Sequence, residues 1–141
     1  MLIYLRKLNL LVDDHMPEGR IRFNTIFVSD KTPDDKKMGV LVKWCERFQS
    51  LGLTPDFEGK CTGNLSFRLK YGFVITASGL ETKENLCGDS FVYVKDFDEQ
   101  KSKVFVEGKR NPSSEAMMHF LIYQARDDVN AIFHGHNTSI L

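Results

Sequence analysis

The chain has 141 residues, of which 42% are apolar and 27% charged, a composition typical of a single globular domain with one core. Nineteen basic side chains balance nineteen acidic ones and are scattered along the chain, which argues against nucleic acid and against an anionic membrane as partners. Three widely spaced cysteines, Cys45, Cys61 and Cys87, form neither a C-x-x-C pair nor a disulfide framework, which indicates a reducing, cytoplasmic setting.

The first thirty residues contain an apolar stretch and a predicted strand. The stretch MLIYLRKLNLLV is interrupted by Arg6 and Lys7, so it is too short for a membrane span, and it lacks a small-residue cleavage site. Further on, the odd-numbered residues from Ile21 to Phe27 share one side, while Arg22 and Asn24 lie on the other. This period of two predicts a β-strand.

A helix is predicted in TPDDKKMGVLVKWCERFQSLG. Thr32 is a candidate N-cap, Pro33 suits the first helical position, and the two aspartates that follow lie at the positive end of the helix dipole. Gly52 is expected to end the helix. Apolar residues at helical spacing form a stripe that is expected to face the core: Met38, Leu41, Trp44, Phe48 and Leu51.

Short strands and a second helix follow. LSFRLK and FVIT flank Tyr71–Gly72, and SFVYV and KVFVEG flank the turn KDFDEQKS, so two hairpins are predicted. A helix is predicted in NPSSEAMMHFLIYQAR, with Asn111 as its cap and Pro112 as its first residue, and NAIFHGH is expected to be a strand. Because tight turns join many of the strands, we expect helices packed on a mostly antiparallel sheet rather than a doubly wound parallel sheet.

Two histidines lie one residue apart in the last predicted strand. His134 and His136 would project from the same face, with their Cα atoms about 6.6 Å apart. Two imidazoles at that separation can bind one ion of the Zn2+ type. Gly135 between them leaves room for a helix or a loop on the opposite face. Two polar residues at the end of a strand are the alternative interpretation of this short pattern.

A catalytic metal site also needs an acid or a base, and Glu115 is the best candidate. It lies at the start of the second predicted helix, where Ser113 and Ser114 provide hydroxyls and the backbone provides free N–H groups that could bind an anion. Two small turns, Gly63–Asn64 and Ser78–Gly79, could bind phosphate oxygens in the same way. Each motif alone is more typical of a helix cap or an ordinary turn.

The ordered series GNLSFR, GFVITASG and NPSSEAMMHFLIYQARDDVNAIFHGH resembles the class II aldolase/adducin family. That family includes zinc-dependent fuculose-phosphate and rhamnulose-phosphate aldolases and ribulose-phosphate 4-epimerases. The resemblance covers roughly residues 38–137 and implies an α/β fold, a three-layer α/β/α domain with a mostly antiparallel central sheet, over residues 32–141. It also implies a homotetramer with sites between subunits. Residues 1–31 lie outside it, as an N-terminal extension of unclear role.

The resemblance also implies roles for individual residues. It assigns phosphate binding to three pairs, which are Gly63 and Asn64, Ser78 and Gly79, and Ser113 and Ser114. It assigns the catalytic acid/base to Glu115 and two zinc ligands to His134 and His136. Ala77 stands where many members of the family have proline. His119 matches a histidine that is common on that helix, and we expect it to be a packed or hydrogen-bonded residue, not a ligand.

One departure concerns the metal. In the family a third zinc histidine lies on a later strand, dozens of residues beyond the pair, whereas this chain ends at Leu141. The chain is therefore expected to be the N-terminal part of a longer protein, with the C-terminal part of the domain missing. With one ligand too few, it should bind Zn2+ or another divalent cation weakly and show little or no activity by itself.

The function that the resemblance implies is a metal-dependent lyase that cleaves a phosphorylated ketose by a retro-aldol reaction through an enediolate, with a dihydroxyacetone-phosphate-type product. A 4-epimerase and a methylthioribulose-phosphate dehydratase are alternatives within the family, and the lysine in ITASGLETKENL slightly favours a dehydratase. An adducin-like binding module without catalysis is the alternative from another class, but the retention of Glu115, His134 and His136 favours an enzyme. The expected partner is a small sugar phosphate.

Overall fold

The computed structural model describes residues 23–137. The helices are α1 (Met38–Ser50) and α2 (Ala116–Ala125). A short hairpin consists of β2 (Asp56–Phe57) and β3 (Lys60–Cys61). The strands of the main sheet are β1 (Asn24–Ser29), β4 (Asn64–Arg68), β5 (Phe73–Thr76), β6 (Phe91–Asp98), β7 (Lys103–Glu107) and β8 (Ala131–His134).

Within the described residues the main sheet has six strands in the order β1-β7-β6-β5-β4-β8. Of the strand pairs between residues 23 and 137, only β1–β7 is parallel, so the predicted α/β fold with a mostly antiparallel sheet is confirmed. Both predicted hairpins are present, and the first is closed by a hydrogen bond of 3.0 Å from the Leu69 amide to the Gly72 carbonyl. The strand predicted from residue 21 is observed from Asn24, and residues 21–22 lie outside the described part of the chain.

Two apolar clusters lie on opposite faces of the sheet because alternate residues of a strand point in opposite directions. On β5, Val74 belongs to the cluster under α1, whereas Phe73 and Ile75 belong to the cluster under α2. The α2 cluster continues into Met117 and Tyr123 of that helix. Between residues 23 and 137 no helix is long and apolar enough to span a membrane.

The predicted stripe on α1 is partly wrong. Trp44 and Leu51 are 45% and 53% exposed, and the fully buried residues of the helix are Leu41 and Cys45. The face that packs on the sheet follows the four-residue spacing from Leu41 to Cys45, with Phe48 beside it, so the helix is rotated relative to the predicted stripe. The predicted end is confirmed, since the Gly52 amide donates to the Gln49 carbonyl at 2.9 Å.

Both helices begin later than predicted. Thr32 and Pro33 precede α1 by several residues, because Asp35 accepts a hydrogen bond from the Lys37 amide at 2.8 Å and forms a turn before Met38. Asn111 and Pro112 were predicted to start α2, which instead starts at Ala116.

The segment before α2 is held by the sheet. Pro112 forms an antiparallel bridge with Ala77, and the Asn111 carbonyl accepts a hydrogen bond from the Ser78 amide at 2.8 Å. Backbone that pairs with a strand in this way cannot take helical geometry at the same positions. The bridge therefore places Ser113–Glu115 directly beside the end of β5.

Candidate active site

The Glu115 carboxylate contacts two residues from neighbouring strands. Its Oε2 atom lies 2.6 Å from His134 Nδ1, at the end of β8. The same oxygen accepts a hydrogen bond from the side-chain amide of Asn64, the first residue of β4. Asn64 and His134 are register partners across β4 and β8, which brings both groups to one end of the sheet. The fold therefore brings the predicted acid/base and one predicted metal ligand together.

This contact shifts the pKa values of both partners. Partial burial raises the pKa of Glu115, but His134 and Asn64 together lower it by more, so the net pKa lies below its ordinary value. The pKa of His134 is raised, chiefly because it pairs with Glu115. At neutral pH the carboxylate is therefore ionised.

The two histidines project together, as predicted. The rings of His134 and His136 stack with centroids 4.8 Å apart and planes 20° apart. Gly135 between them leaves space for close packing, because a Cβ atom there would lie 3.1 Å from Phe48 and from Leu53. The loop after α1 also binds this segment through a hydrogen bond of 2.8 Å from the His136 amide to the Leu53 carbonyl.

Only glycine fits at position 63, where the chain before β4 passes close to the end of β8. Its φ angle is +73°, and a Cβ atom would lie 2.7 Å from the backbone carbonyl oxygen of His134. A side chain at this position would therefore strain the backbone and push β8 away. Gly63 thus allows the histidine strand to approach Asn64.

A cavity of about 380 Å³ opens beside Glu115. Its lining includes His136 and all three predicted phosphate-binding pairs, Gly63 and Asn64, Ser78 and Gly79, and Ser113 and Ser114. His134 does not line the cavity and reaches it through Glu115. A larger surface depression of about 460 Å³ lies against α1 and contains none of the predicted site residues.

The backbone N–H groups near the cavity are partly engaged within the chain. The Ser78 amide donates to Asn111, and the Ser113 amide donates to Thr76 at 3.2 Å. The Glu115 amide donates to the Ser113 hydroxyl at 3.3 Å. Free backbone N–H groups were expected in the turn Ser78–Gly79 and at the start of α2. That expectation is wrong for these three groups. Hydroxyls and cationic side chains are better placed to bind an anion.

The structure adds residues to those that the motifs assigned to phosphate, metal or proton transfer. Lys60, Cys61, Thr62 and Lys83 also line the cavity, and the Lys83 side chain is fully buried. The stretch LETKENL contains no pattern that predicts a buried lysine, since lysines in turns are normally exposed. Only the folding of β3 against the segment after β5 places these cations beside the predicted phosphate loops.

A buried polar network lies behind Glu115. The Ser66 hydroxyl lies 2.7 Å from His119 Nδ1 and 2.7 Å from the Tyr123 hydroxyl. The His119 ring stacks on Phe73, and burial lowers the pKa of His119 to about 4. His119 is thus neutral, packed and hydrogen-bonded, as predicted.

The residues present fit part of a metal site. Asn64 Oδ1 is a buried polar atom without a hydrogen bond, and the two stacked histidine rings can direct nitrogen atoms toward one ion, although Glu115 already contacts Nδ1 of His134. Within residues 23–137, however, no group of three histidine, cysteine, aspartate or glutamate side chains is arranged to hold a metal ion. The pair thus suits a divalent cation that takes a further ligand from elsewhere.

Comparison with known proteins agrees with this geometry. The sequence profile of the Class II Aldolase and Adducin N-terminal domain matches residues 40–141. The 5-deoxy-D-ribulose 1-phosphate aldolase of Bacillus thuringiensis is 36% identical over 104 residues, which cover 72% of this chain and 44% of that protein. The chain belongs to the class II aldolase/adducin family, as its motifs predicted.

Other relatives differ in the activity that their names give. The methylthioribulose-1-phosphate dehydratase of Yersinia enterocolitica is 26% identical over 106 residues, which cover 75% of this chain and 46% of that protein. The crystal structure of L-fuculose-1-phosphate aldolase from Thermus thermophilus has the same fold, with a TM-score of 0.53 and 24% identity over 70% of this chain and 45% of that one. The chain spans less than half the length of each of these proteins.

Proposed function

We propose that the chain provides the acid/base and phosphate-binding residues of a metal-dependent lyase that cleaves a phosphorylated ketose through an enediolate. The observation that carries this proposal is the position of Glu115, whose carboxylate is held by Asn64 and His134 beside a polar cavity. A fixed, ionised carboxylate next to a substrate-sized cavity meets the geometric requirement for proton transfer. Family membership and a relative named as a ribulose-phosphate-type aldolase support the same reaction class.

In this proposal the substrate phosphate occupies the part of the cavity lined by the loops at Gly63, Ser78 and Ser113. Their hydroxyls donate hydrogen bonds to phosphate oxygens. Lys60 and Lys83 line the same cavity and supply positive charge, which strengthens such bonds. The phosphate thus anchors the ketose while its carbonyl end points toward Glu115.

Glu115 then moves the proton at the carbon of the enediolate that forms when the carbon–carbon bond breaks. The Asn64 amide keeps the carboxylate oriented, and its hydrogen bond helps to keep the pKa of Glu115 low. His134 and His136 are the residues that would hold a divalent cation such as Zn2+, which supplies Lewis-acid polarisation of the substrate carbonyl when bound. A carboxylate in contact with a ligand histidine also orients that ring.

The proposal extends to the whole protein. We place the chain in a three-layer α/β/α domain that further residues complete, in a cytoplasmic homotetramer. The helices α1 and α2 pack on opposite faces of the sheet, which supports the layers, and a match that covers only 44% of the aldolase relative supports the further residues. In this proposal the third metal ligand lies outside residues 1–141.

The direct test uses the complete product of the gene, assayed for cleavage of 5-deoxyribulose 1-phosphate and L-fuculose 1-phosphate with added Zn2+. At a Zn2+ concentration that keeps the metal site filled, Glu115→Gln should lower kcat by about 10²–10⁴-fold, because it removes the proton carrier and keeps the shape. Glu84→Gln, at an exposed carboxylate, is the matched control and should leave turnover unchanged. Full turnover in the Glu115→Gln protein would refute the assigned role.

Two further outcomes separate the alternatives. A 4-epimer as the product would identify an epimerase instead of an aldolase. A dehydrated ketone phosphate would identify a dehydratase, the activity named for one of the relatives. A protein that contains no divalent metal and gains none on titration would favour an adducin-like binding module. His134→Ala should abolish metal uptake if the lyase proposal is correct.

A further inference from the structure

Lys83 is a buried cation whose partner is a sulfur atom. Its side chain is 1% exposed, and its Nζ atom donates to Cys61 Sγ at 3.1 Å. Among residues 23–137, no carboxylate forms an ion pair with it. Its backbone amide is held by the side chain of Gln49, which fixes the residue against α1. A buried ammonium group without a carboxylate is unusual because burial disfavours the uncompensated charge.

Cys61 is held in turn between two groups. Its thiol donates to the Leu80 carbonyl at 3.2 Å, and its own backbone amide donates to the same oxygen at 2.8 Å. The residue is half-buried and lines the cavity together with Lys83. A small oxidant that enters the cavity can therefore reach this sulfur. The thiolate form of a cysteine attacks peroxide, and Lys83 is the cation in contact with that sulfur.

The two other cysteines differ in ways that make them internal controls. Cys45 is fully buried, and burial raises the pKa of its thiol to about 12, so it should be inert. Cys87 is exposed, and a hydrogen bond with Ser90 lowers the pKa of its thiol. Cys87 should react with peroxide, but its side-chain partner is a hydroxyl and not an amine.

We propose that Cys61 and Lys83 form a peroxide-sensitive modification site, in which the oxidised sulfur is captured by the lysine amine as a covalent S–N bond. In the first step the thiol reduces one hydrogen peroxide to water and becomes a sulfenic acid. In the second step the nitrogen lone pair of Lys83, after loss of a proton to water, attacks Sγ. The S–O bond breaks, and the hydroxyl leaves as water with a proton from the amine. One peroxide, one thiol and one amine thus give one sulfenamide and two waters.

The bond would change the cavity reversibly. It removes the positive charge of Lys83 and ties β3 to the segment that follows β5. A thiol reductant restores the free amine and the free thiol. The consequence for phosphate binding rests on the proposed function, whereas the formation of the bond does not.

The test treats the folded chain with hydrogen peroxide and then maps the denatured protein by peptide mass spectrometry. The expected product is a linked pair of peptides that joins Cys61 to Lys83 and is two hydrogen atoms lighter than their sum. Dithiothreitol should separate the pair. Cys61→Ser should show no link, whereas Cys87 should become oxidised without a link in every variant.

Lys83→Arg retains the buried charge but offers a much weaker nucleophile, so it separates capture from folding. In that variant we expect Cys61 to accumulate as the dimedone adduct of its sulfenic acid and then as sulfinic acid. Equal rates of sulfinic acid formation in the wild type and in Lys83→Arg would overturn the proposal. So would a Cys61 that stays reduced while Cys87 reacts, or a link that retains an oxygen atom. These readouts are masses, so they do not depend on lyase activity.

Discussion

The two faces of strand β4 pack against the rest of the protein in different ways. Leu65 and Phe67 face α1 and join a cluster that is entirely apolar. Asn64, Ser66 and Arg68 lie on the opposite face and bind the helix α2 and the residues at its ends by hydrogen bonds. Strand β4 therefore packs against α1 through apolar side chains and against α2 through hydrogen bonds, because its side chains alternate between the two faces of the sheet.

The directional face runs along the whole of α2. Asn64 binds Glu115 before the helix, Ser66 binds His119 and Tyr123 in its middle, and Arg68 binds backbone carbonyls at its end. Apolar packing tolerates small shifts of a helix, whereas a row of hydrogen bonds fixes its position. The comparison indicates that the apolar face mainly stabilises the domain and that the polar face orients Glu115.

The largest expected effect is on the apolar face. Leu65→Ala should lower the free energy of unfolding by about 2–5 kcal/mol, because it removes buried methyl groups and leaves a cavity under α1. Urea denaturation measures the change. Val40→Ala, at a residue of α1 that is 57% exposed, should change stability by less than about 0.5 kcal/mol. Equal losses in the two variants would contradict the packing described for α1.

The next effect is a pH dependence of the polar face. Burial lowers the pKa of His119 to about 4 from an ordinary value of 6.5, so the unfolded chain binds more protons between these values. The contribution of neutral His119 to the free energy of unfolding is roughly 3 kcal/mol. It is fully present above pH 6.5 and is lost as pH falls toward 4. Denaturation at several pH values should show a flatter profile for His119→Gln. A wild-type profile as flat as that of the variant would disprove the lowered pKa of His119.

A smaller effect is expected from the centre of the polar row. Ser66→Ala should cost about 1–3 kcal/mol, because His119 Nδ1 and the Tyr123 hydroxyl both lose their buried partner. Ser78→Ala removes an exposed hydroxyl and is the matched control, with an expected change below about 0.5 kcal/mol. Thermal or urea unfolding compares the two, and a loss in Ser66→Ala no greater than in the control would show that the row contributes no stability.

The smallest effect is expected at the end of the row. Arg68 donates to the carbonyls of Tyr123, Arg126 and Val129 at 2.7–2.8 Å, and lysine cannot reproduce this fork. Arg68→Lys should cost about 1 kcal/mol and accelerate hydrogen exchange in the last turn of α2. Lys70→Arg, on the exposed turn after β4, should alter neither quantity. Unchanged exchange in Arg68→Lys would indicate that Arg68 does not hold the helix end.

The local sequence determined the hairpins and the presence of both helices, because alternation and helical spacing are properties of short segments. The last predicted strand was too long, since β8 ends at His134 and His136 lies beyond it. The motifs also identified the family. Helix starts were predicted poorly because residues near them have other partners. Asp35 forms a turn with the Lys37 amide, and Pro112 forms a bridge with Ala77, just after β5.

Only the tertiary structure decided which polar groups meet. Asn64 and Glu115 are 51 residues apart in the chain, yet they share one hydrogen bond because β4 packs beside the start of α2. The burial of Lys83 against Cys61 and the exposure of Trp44 likewise depend on how distant segments pack. The physical reason is range: periodicity is set by the local backbone, whereas burial and polar partners are set by contacts between elements far apart in the sequence.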